Sequence, residues 1–398
     1  MRVLLFTGKG GVGKTTTAAA TAVRAARSGL KTLVLSTDPA HSLGDALDTP
    51  LGSAGGQPVE VEPGLYAQQV DARARARRWW GEVQDYLLDV LDSVGVDPVA
   101  AEELTMLPGA EEVLALLELR DQVEHGLWDL VVVDCAPTAE TLRLLALPEA
   151  LRWAMERVFP ASRRIVRTAR PLLGRAVGVP MPRDDVFASV QRLHDELGAV
   201  QQMLMAPETS VRLVLTPEAV VIAEARRTLT SLSLYGYRVD GVVANRVFPS
   251  SGADAWRTAW VARQSELLAD IAASFAPVPV RHAAYHAAEP VGCDQLAALA
   301  DDLYGDGDEP WVASQRPEPM RVERSGDEFV LVLDLPLTRP SEVDLERRGD
   351  ELWLLVGGHR RVIALPSALR RCVVVGAVVR DGSLRVRFEP DPDLWRPL

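Results

Sequence analysis

Short, almost wholly apolar runs punctuate the first 280 residues of the chain. Val3–Phe6, Leu33–Leu35, Leu130–Val133, Val211–Leu215, Val239–Ala244 and Val278–Val280 each have the length of a strand. Runs this apolar, separated by helical patterns, predict a parallel sheet covered on both faces rather than a sheet with one wet side. Between the first two, Lys14–Ser28 is rich in Ala and Arg and reads as a helix, and Gly29 stands where a C-cap glycine ends one. The opening unit is therefore strand, loop, helix, strand.

About 95 residues separate Leu35 from Leu130, far more than a crossover and its helix require. Trp79, Val83, Leu87, Val90 and Val94 recur at helical spacing, and Val113–Leu119 is nearly continuous apolar sequence. A second helical stretch follows, in which Val186, Val190, Leu193, Leu197, Val200 and Leu204 alternate steps of four and three, a heptad-like seam. The pattern predicts a helical subdomain inserted in two pieces, about 65–128 and 149–207, around the strand at Leu130.

The texture changes near residue 305. An acidic, Pro-rich stretch over 305–319 reads as a linker. Short β runs with turn signals then follow: Glu328–Leu335, Glu342–Glu346, Glu351–Val356, Arg361–Leu365, Arg371–Val375 and Ser383–Phe388, with Asp381-Gly382 as a hairpin signal. Residues 320–398 thus read as a separate antiparallel β-sandwich behind an α/β domain spanning 1–304.

Composition removes several classes. The 398 residues carry a formal net charge of −12 and no basic block, which argues against charge-driven nucleic-acid binding. No apolar run reaches the ~18 residues of a membrane span, so any membrane contact is expected to be peripheral. The start runs straight into a Gly-rich loop with no basic region or cleavage site, unlike a signal peptide. Three scattered cysteines give no disulfide framework, so the expected location is the cytoplasm. Of the 43 Lys and Arg only Lys9, Lys14 and Lys31 are lysines, a bias that fits a GC-rich genome and makes two lysines within eight residues conspicuous.

Those eight, Gly8-Lys9-Gly10-Gly11-Val12-Gly13-Lys14-Thr15, match G-x-x-x-x-G-K-[ST], follow a strand and open a helix, as a phosphate-binding loop requires. Glycines let backbone N–H groups curl around phosphate oxygens, and the helix N-terminus adds partial positive charge. Gly8 to Thr15, with Thr16 beside them, are the candidate ATP-binding residues. Lys14 would neutralise the β- and γ-phosphates, and the Thr15 hydroxyl would ligate Mg²⁺. Taken alone, Lys9 could be a solvated loop charge.

Asp38, in DPAHSLGD, follows the second apolar run, and Asp134, in DCAPT, follows the third. A carboxylate at the C-terminal end of a central parallel strand faces the ligand crevice. Asp134 suits the support of Mg²⁺ through a water, and Asp38 suits orienting or deprotonating an attacking water. Singly, each could equally be a helix N-cap.

At this point the chain resembles the ArsA family, which includes the arsenite-pump ATPase and relatives that deliver tail-anchored membrane proteins. STDPAHSLGD, TMLPGAEEVLAL and DCAPTAETLRLLALP carry the resemblance, which covers about residues 1–300. It implies a P-loop NTPase fold with ATP and Mg²⁺ as cofactors. It also implies that GKGGVGKT is a deviant phosphate loop whose Lys9 reaches the nucleotide of a second copy, so that the protein works as a homodimer. Lys9 and Lys14 are then phosphate contacts, Asp38 positions the nucleophilic water, and Thr15 and Asp134 hold the metal. Asn245 resembles the family's adenine-reading Asn, and Pro279–Gly292 resembles its adenine loop.

The departures are Cys135, Ala139 and Glu140, where the family's second switch has Thr, Gly and His. The chain also lacks Cys-x-x-Cys, so the zinc staple of the eukaryotic relatives cannot form, and its cysteines are not clustered for a soft metalloid. Cys135 reads as a small buried residue. The tail, through Ala377–Phe388, resembles the α-crystallin domain of small heat-shock proteins, without their I-x-I assembly tail. Met106, Met155, Met181, Met203 and Met205, with Trp79, Trp80 and Trp153, are either ordinary helical core or an adaptable groove. The relatives use this region for a client's hydrophobic helix. The expected partner is a hydrophobic protein client, with an apolar small molecule as the alternative.

Overall fold

The computed structural model describes residues 1–38, 42–51, 57–70, 110–135, 184–251, 254–307, 309–313, 318–326 and 328–394. The apolar runs become strands as their composition dictates: β1 (Arg2–Thr7), β2 (Thr32–Ser36), β5 (Leu130–Asp134), β6 (Thr209–Leu215), β7 (Val239–Val247) and β8 (Val280–Ala284). Two further strands, β3 (Val59–Glu62) and β4 (Leu65–Gln69), complete an eight-stranded sheet in the order β3-β4-β2-β5-β1-β6-β7-β8. All neighbours pair parallel except β3 with β4. β4 corrects the expectation that helix begins at about residue 65. Its LYAQQ is half apolar and half amide, which hides a buried strand from a reading based on apolar runs.

Helices α1 (Lys14–Arg27), α2 (Ser42–Leu47), α3 (Ala110–Glu124), α4 (Asp184–Met205), α5 (Ala219–Leu234), α6 (Ala255–Phe275) and α7 (Cys293–Tyr304) cover the sheet. Small side chains let α1 lie close: Thr17, Ala18, Ala19, Ala20, Thr21 and Ala22 are all fully buried. In α4 the described part of the heptad-like seam, Leu197, Val200 and Leu204, is buried in the main core. Met203 and Met205 pack against that same core. Trp79, Trp80, Met106, Trp153, Met155 and Met181 lie outside the described residues, as do Ala139 and Glu140.

Arg2 and Arg212 converge on Asp240 across β1, β6 and β7. Arg2 lies 2.8 Å and Arg212 3.2 Å from its carboxylate. Arg212 also donates to the Tyr304 hydroxyl and to the Pro310 carbonyl, so part of the expected linker is fastened to the sheet.

The C-terminal part forms two antiparallel sheets. One is β14-β15-β10-β9, from β9 (Met320–Ser325), β10 (Glu328–Asp334), β14 (Cys372–Arg380) and β15 (Ser383–Pro390). The other is β11-β12-β13, from β11 (Val343–Arg348), β12 (Glu351–Val356) and β13 (His359–Ala364). Their inner faces bury Leu331, Leu333, Leu352, Leu354, Ile363 and Phe388 in one cluster, and the last residue of α5, Leu234, is part of it. Arg361 donates to the Leu234 carbonyl, and Thr230 donates to the Pro336 carbonyl at 2.8 Å. The sandwich is thereby seated on the C-terminal end of α5.

Candidate functional site

β1 ends at Thr7, the chain loops through Gly8–Gly13, and α1 begins at Lys14. Two glycines are dictated by space. A Cβ on Gly8 would overlap the Val214 carbonyl, and one on Gly13 would overlap the Asn245 side-chain nitrogen, while Gly13 also takes φ 93°. Gly13 caps α1 without a side-chain acceptor, so the first N–H groups of the helix stay available at the loop, an arrangement suited to an anion. Lys14, nearly buried, turns its Nζ back toward the Lys9 carbonyl at 3.4 Å.

The strand register brings the remaining groups into one row. Asp134 lies opposite Phe6 on β1 and opposite Ser36 on β2, and Ser36 lies opposite Gln69 on β4. Asp134 is fully buried. Its Oδ2 accepts from Thr15 Oγ1 at 2.8 Å and from Ser36 Oγ at 3.2 Å. Its Oδ1 is buried with no hydrogen-bond partner. Burial pushes the Asp134 carboxyl up to about 6, against the opposing pull of the Thr15 and Ser36 hydroxyls and of Lys14. A buried carboxylate with one unsatisfied oxygen beside a threonine hydroxyl is a donor set that a hard divalent cation completes.

Asp38 follows β2 within the same group. Its backbone N–H donates to Ser36 Oγ at 3.2 Å, and its carbonyl accepts from Gln69 Nε2 at 2.8 Å. Residues 39–41, the next part of the DPAHSLGD segment, lie outside the described residues. Asn245, at the end of β7, donates from Nδ2 to the Val12 carbonyl at 2.8 Å and accepts the Arg246 N–H at 2.9 Å. It therefore buttresses the phosphate loop from below, with a second N–H and a second lone pair left for other partners. Phe248, three residues on, contacts Tyr285 (centroids 5.3 Å apart), which follows β8 in the Pro279–Gly292 stretch. Cys135 is buried, and its thiol is driven far up by burial and by the adjacent Asp134, as suits a packing residue.

Gly8 to Thr15, Asp38, Asp134 and Asn245, named from sequence, thus meet at one end of the sheet. Thr16 follows Thr15 in the first turn of α1. Ser36 and Gln69 went unnoticed: a serine and a glutamine ending short strands carry no spacing signal. The only available hint was two amides closing the apolar Leu65–Ala67.

This fold and this site define a P-loop nucleoside triphosphatase. Residues 1–305 match the family of anion-transporting ATPases, and residues 326–388 match an HSP20-like domain found in ArsA proteins. An uncharacterized protein of Streptomyces coelicolor is 43% identical over 403 residues, covering 99% of each chain. A putative arsenical pump-driving ATPase of Chlorobaculum tepidum is 38% identical over 393 residues, covering 98% of this chain and 96% of that one. Another, of Aquifex aeolicus, is 33% identical over 93% of this chain and 95% of its own length. The chain belongs to the ArsA family of ATPases and is an ATP-hydrolysing enzyme.

Proposed function

We propose that this ATPase is Mg²⁺-dependent, works as a pair of copies, and uses hydrolysis to switch a helical region that captures and releases hydrophobic protein segments. The observation that carries the metal-dependent part is the Asp134 carboxylate: buried, held on one oxygen by Thr15 and Ser36, and unsatisfied on the other. Thr15 and Asp134 would hold the cation, which when bound neutralises charge on the β- and γ-phosphates. Gly8–Gly13 and the start of α1 cradle the phosphates, Lys14 adds its charge, and Asp38 orients the attacking water. Lys9, in the loop yet not needed to close it, is assigned to the nucleotide of the second copy.

The client reading rests on the family resemblance. Binding energy in such proteins is released as movement when γ-phosphate contacts are lost. The names of the relatives raise arsenite as a ligand. Here Cys135 follows β5, Cys293 opens α7 and Cys372 opens β14, and burial raises all three thiols, Cys293 to about 11. A three-thiolate site for a soft metalloid finds no support in that placement.

The test is Asp38→Asn. Turnover is expected to fall by at least about a hundredfold while ATP binding persists. Near-normal hydrolysis would remove Asp38 from its role. Mass spectrometry of what copurifies with the ATP-loaded variant reads the client: membrane-protein segments support the proposal, and a bound lipid or small apolar molecule favours the other occupant.

A further inference from the structure

The backbone of Asp38 is gripped on both sides of its Cα. The N–H side is held by Ser36 Oγ at 3.2 Å and the carbonyl side by Gln69 Nε2 at 2.8 Å. Ser36 and Gln69 are opposite each other in the β2–β4 register, so two neighbouring strand ends close on the peptide units on either side of Asp38. Both side chains are buried, Ser36 completely and Gln69 to 9% exposure. Buried polar side chains are kept only where their hydrogen bonds are needed.

Ser36 does more than hold a turn. The same Oγ that accepts from Asp38 donates to Asp134 Oδ2, so one hydroxyl joins the carboxylate of the site to the backbone of Asp38. A hydroxyl has one proton to give, and Asp134 takes it, which leaves the lone pairs to the Asp38 N–H. Any shift of the Asp134 carboxylate along this line is passed to the main chain carrying Asp38. Gln69 supplies the opposing anchor, and its own Oε1 is buried with no hydrogen-bond partner, so the amide stays there for its donor end.

We propose that Ser36 and Gln69 are positioning residues for the hydrolytic step, fixing the backbone of Asp38 between them and, through Ser36, tying it to Asp134. The proposal rests on Asp38 acting on the attacking water. Their hydrogen bonds go to Asp134 and to the backbone of Ser36 and Asp38, not to the phosphate loop, so their contribution falls on turnover and not on nucleotide affinity.

The experiment measures kcat and KM for MgATP in the full-length chain for Ser36→Ala, Ser36→Thr, Gln69→Leu, Asp38→Asn and the double variant Ser36→Ala with Asp38→Asn. Thermal melting of each checks that it is folded. Ser36→Ala is expected to lower kcat about tenfold with KM within twofold of the parent. Gln69→Leu should act in the same direction, and Ser36→Thr, which keeps the hydroxyl, should restore most of the loss. In the Asp38→Asn background Ser36→Ala should cost nothing further. An unchanged kcat in Ser36→Ala, or a full tenfold loss added on top of Asp38→Asn, overturns the positioning role. Near-normal turnover by Asp38→Asn overturns the underlying site reading instead, so the two failures are separate.

Discussion

Burial drives the Asp134 carboxyl from 3.8 up to about 6, so the nucleotide-free fold prefers this residue protonated. Its contribution to folding is present below about pH 4 and is lost as pH rises from about 4 to about 6. Above that range the charge is a constant penalty, and a gap of about two pKa units corresponds to about 3 kcal/mol. Asp134→Asn should therefore melt higher than the parent at pH 8 in the absence of nucleotide, with the difference vanishing near pH 4. The same substitution should abolish stabilisation by MgATP together with turnover. Differential scanning fluorimetry across pH, with and without MgATP, checks both. A site that holds charge against its own stability is a common trade in nucleotide enzymes, and here it is concentrated in one buried carboxylate. The Gly8–Thr15 spacing and the aspartates after two apolar runs made this scale legible in advance. Ser36 and Gln69 were not, because their role depends on strand register and β4 itself was hidden.

At the scale of elements, the pure apolar runs gave the parallel strands, within a few residues of their ends. What escaped was mixed in composition. β3 is VEVE on an exposed edge, β4 ends in two glutamines, and β9 is MRVERS at the margin of its sheet. None of these has the buried-run signature, since an edge or a polar strand end need not be apolar. The seam on α4 teaches the complementary point. Its described half, Leu197, Val200 and Leu204, is buried in the main core. Leu204→Ala should accordingly cost about 2–5 kcal/mol of stability by denaturant unfolding, with the copurifying client of the Asp38→Asn trap unchanged. A loss of client at unchanged stability would reassign this end of α4 to the binding region.

For the whole molecule, the central question is whether two copies face each other across their nucleotides. Lys9 carries that expectation, and its own side chain is not required for the loop contact that Lys14 makes with the Lys9 carbonyl. Lys9→Ala should leave MgATP binding to a single copy intact, while turnover per chain drops by at least about tenfold and loses its dependence on protein concentration. Light scattering beside steady-state turnover separates the two effects, and full activity in the variant would refute a cross-subunit lysine. Among the described residues no helix is long and apolar enough to cross a membrane. The sandwich was legible as an antiparallel tail, and its seating on the first domain was not, since Leu234 reads as one more helical leucine.

That seating has a mechanical meaning. Val221, Ala225 and Thr228 on α5 line the same small cleft as Gly8 and Lys9, while Leu234 at the far end is sunk in the sandwich and capped by Arg361. The helix therefore touches the phosphate loop along its first half and the sandwich at its last residue. A displacement of α5 at its loop end would be passed to the sandwich, and a displacement at the sandwich to the loop, by the reciprocity that holds for any two coupled sites. One helix, about 24 Å long at 1.5 Å per residue, thus reaches from the phosphate-loop cleft to the core of the heat-shock-like tail.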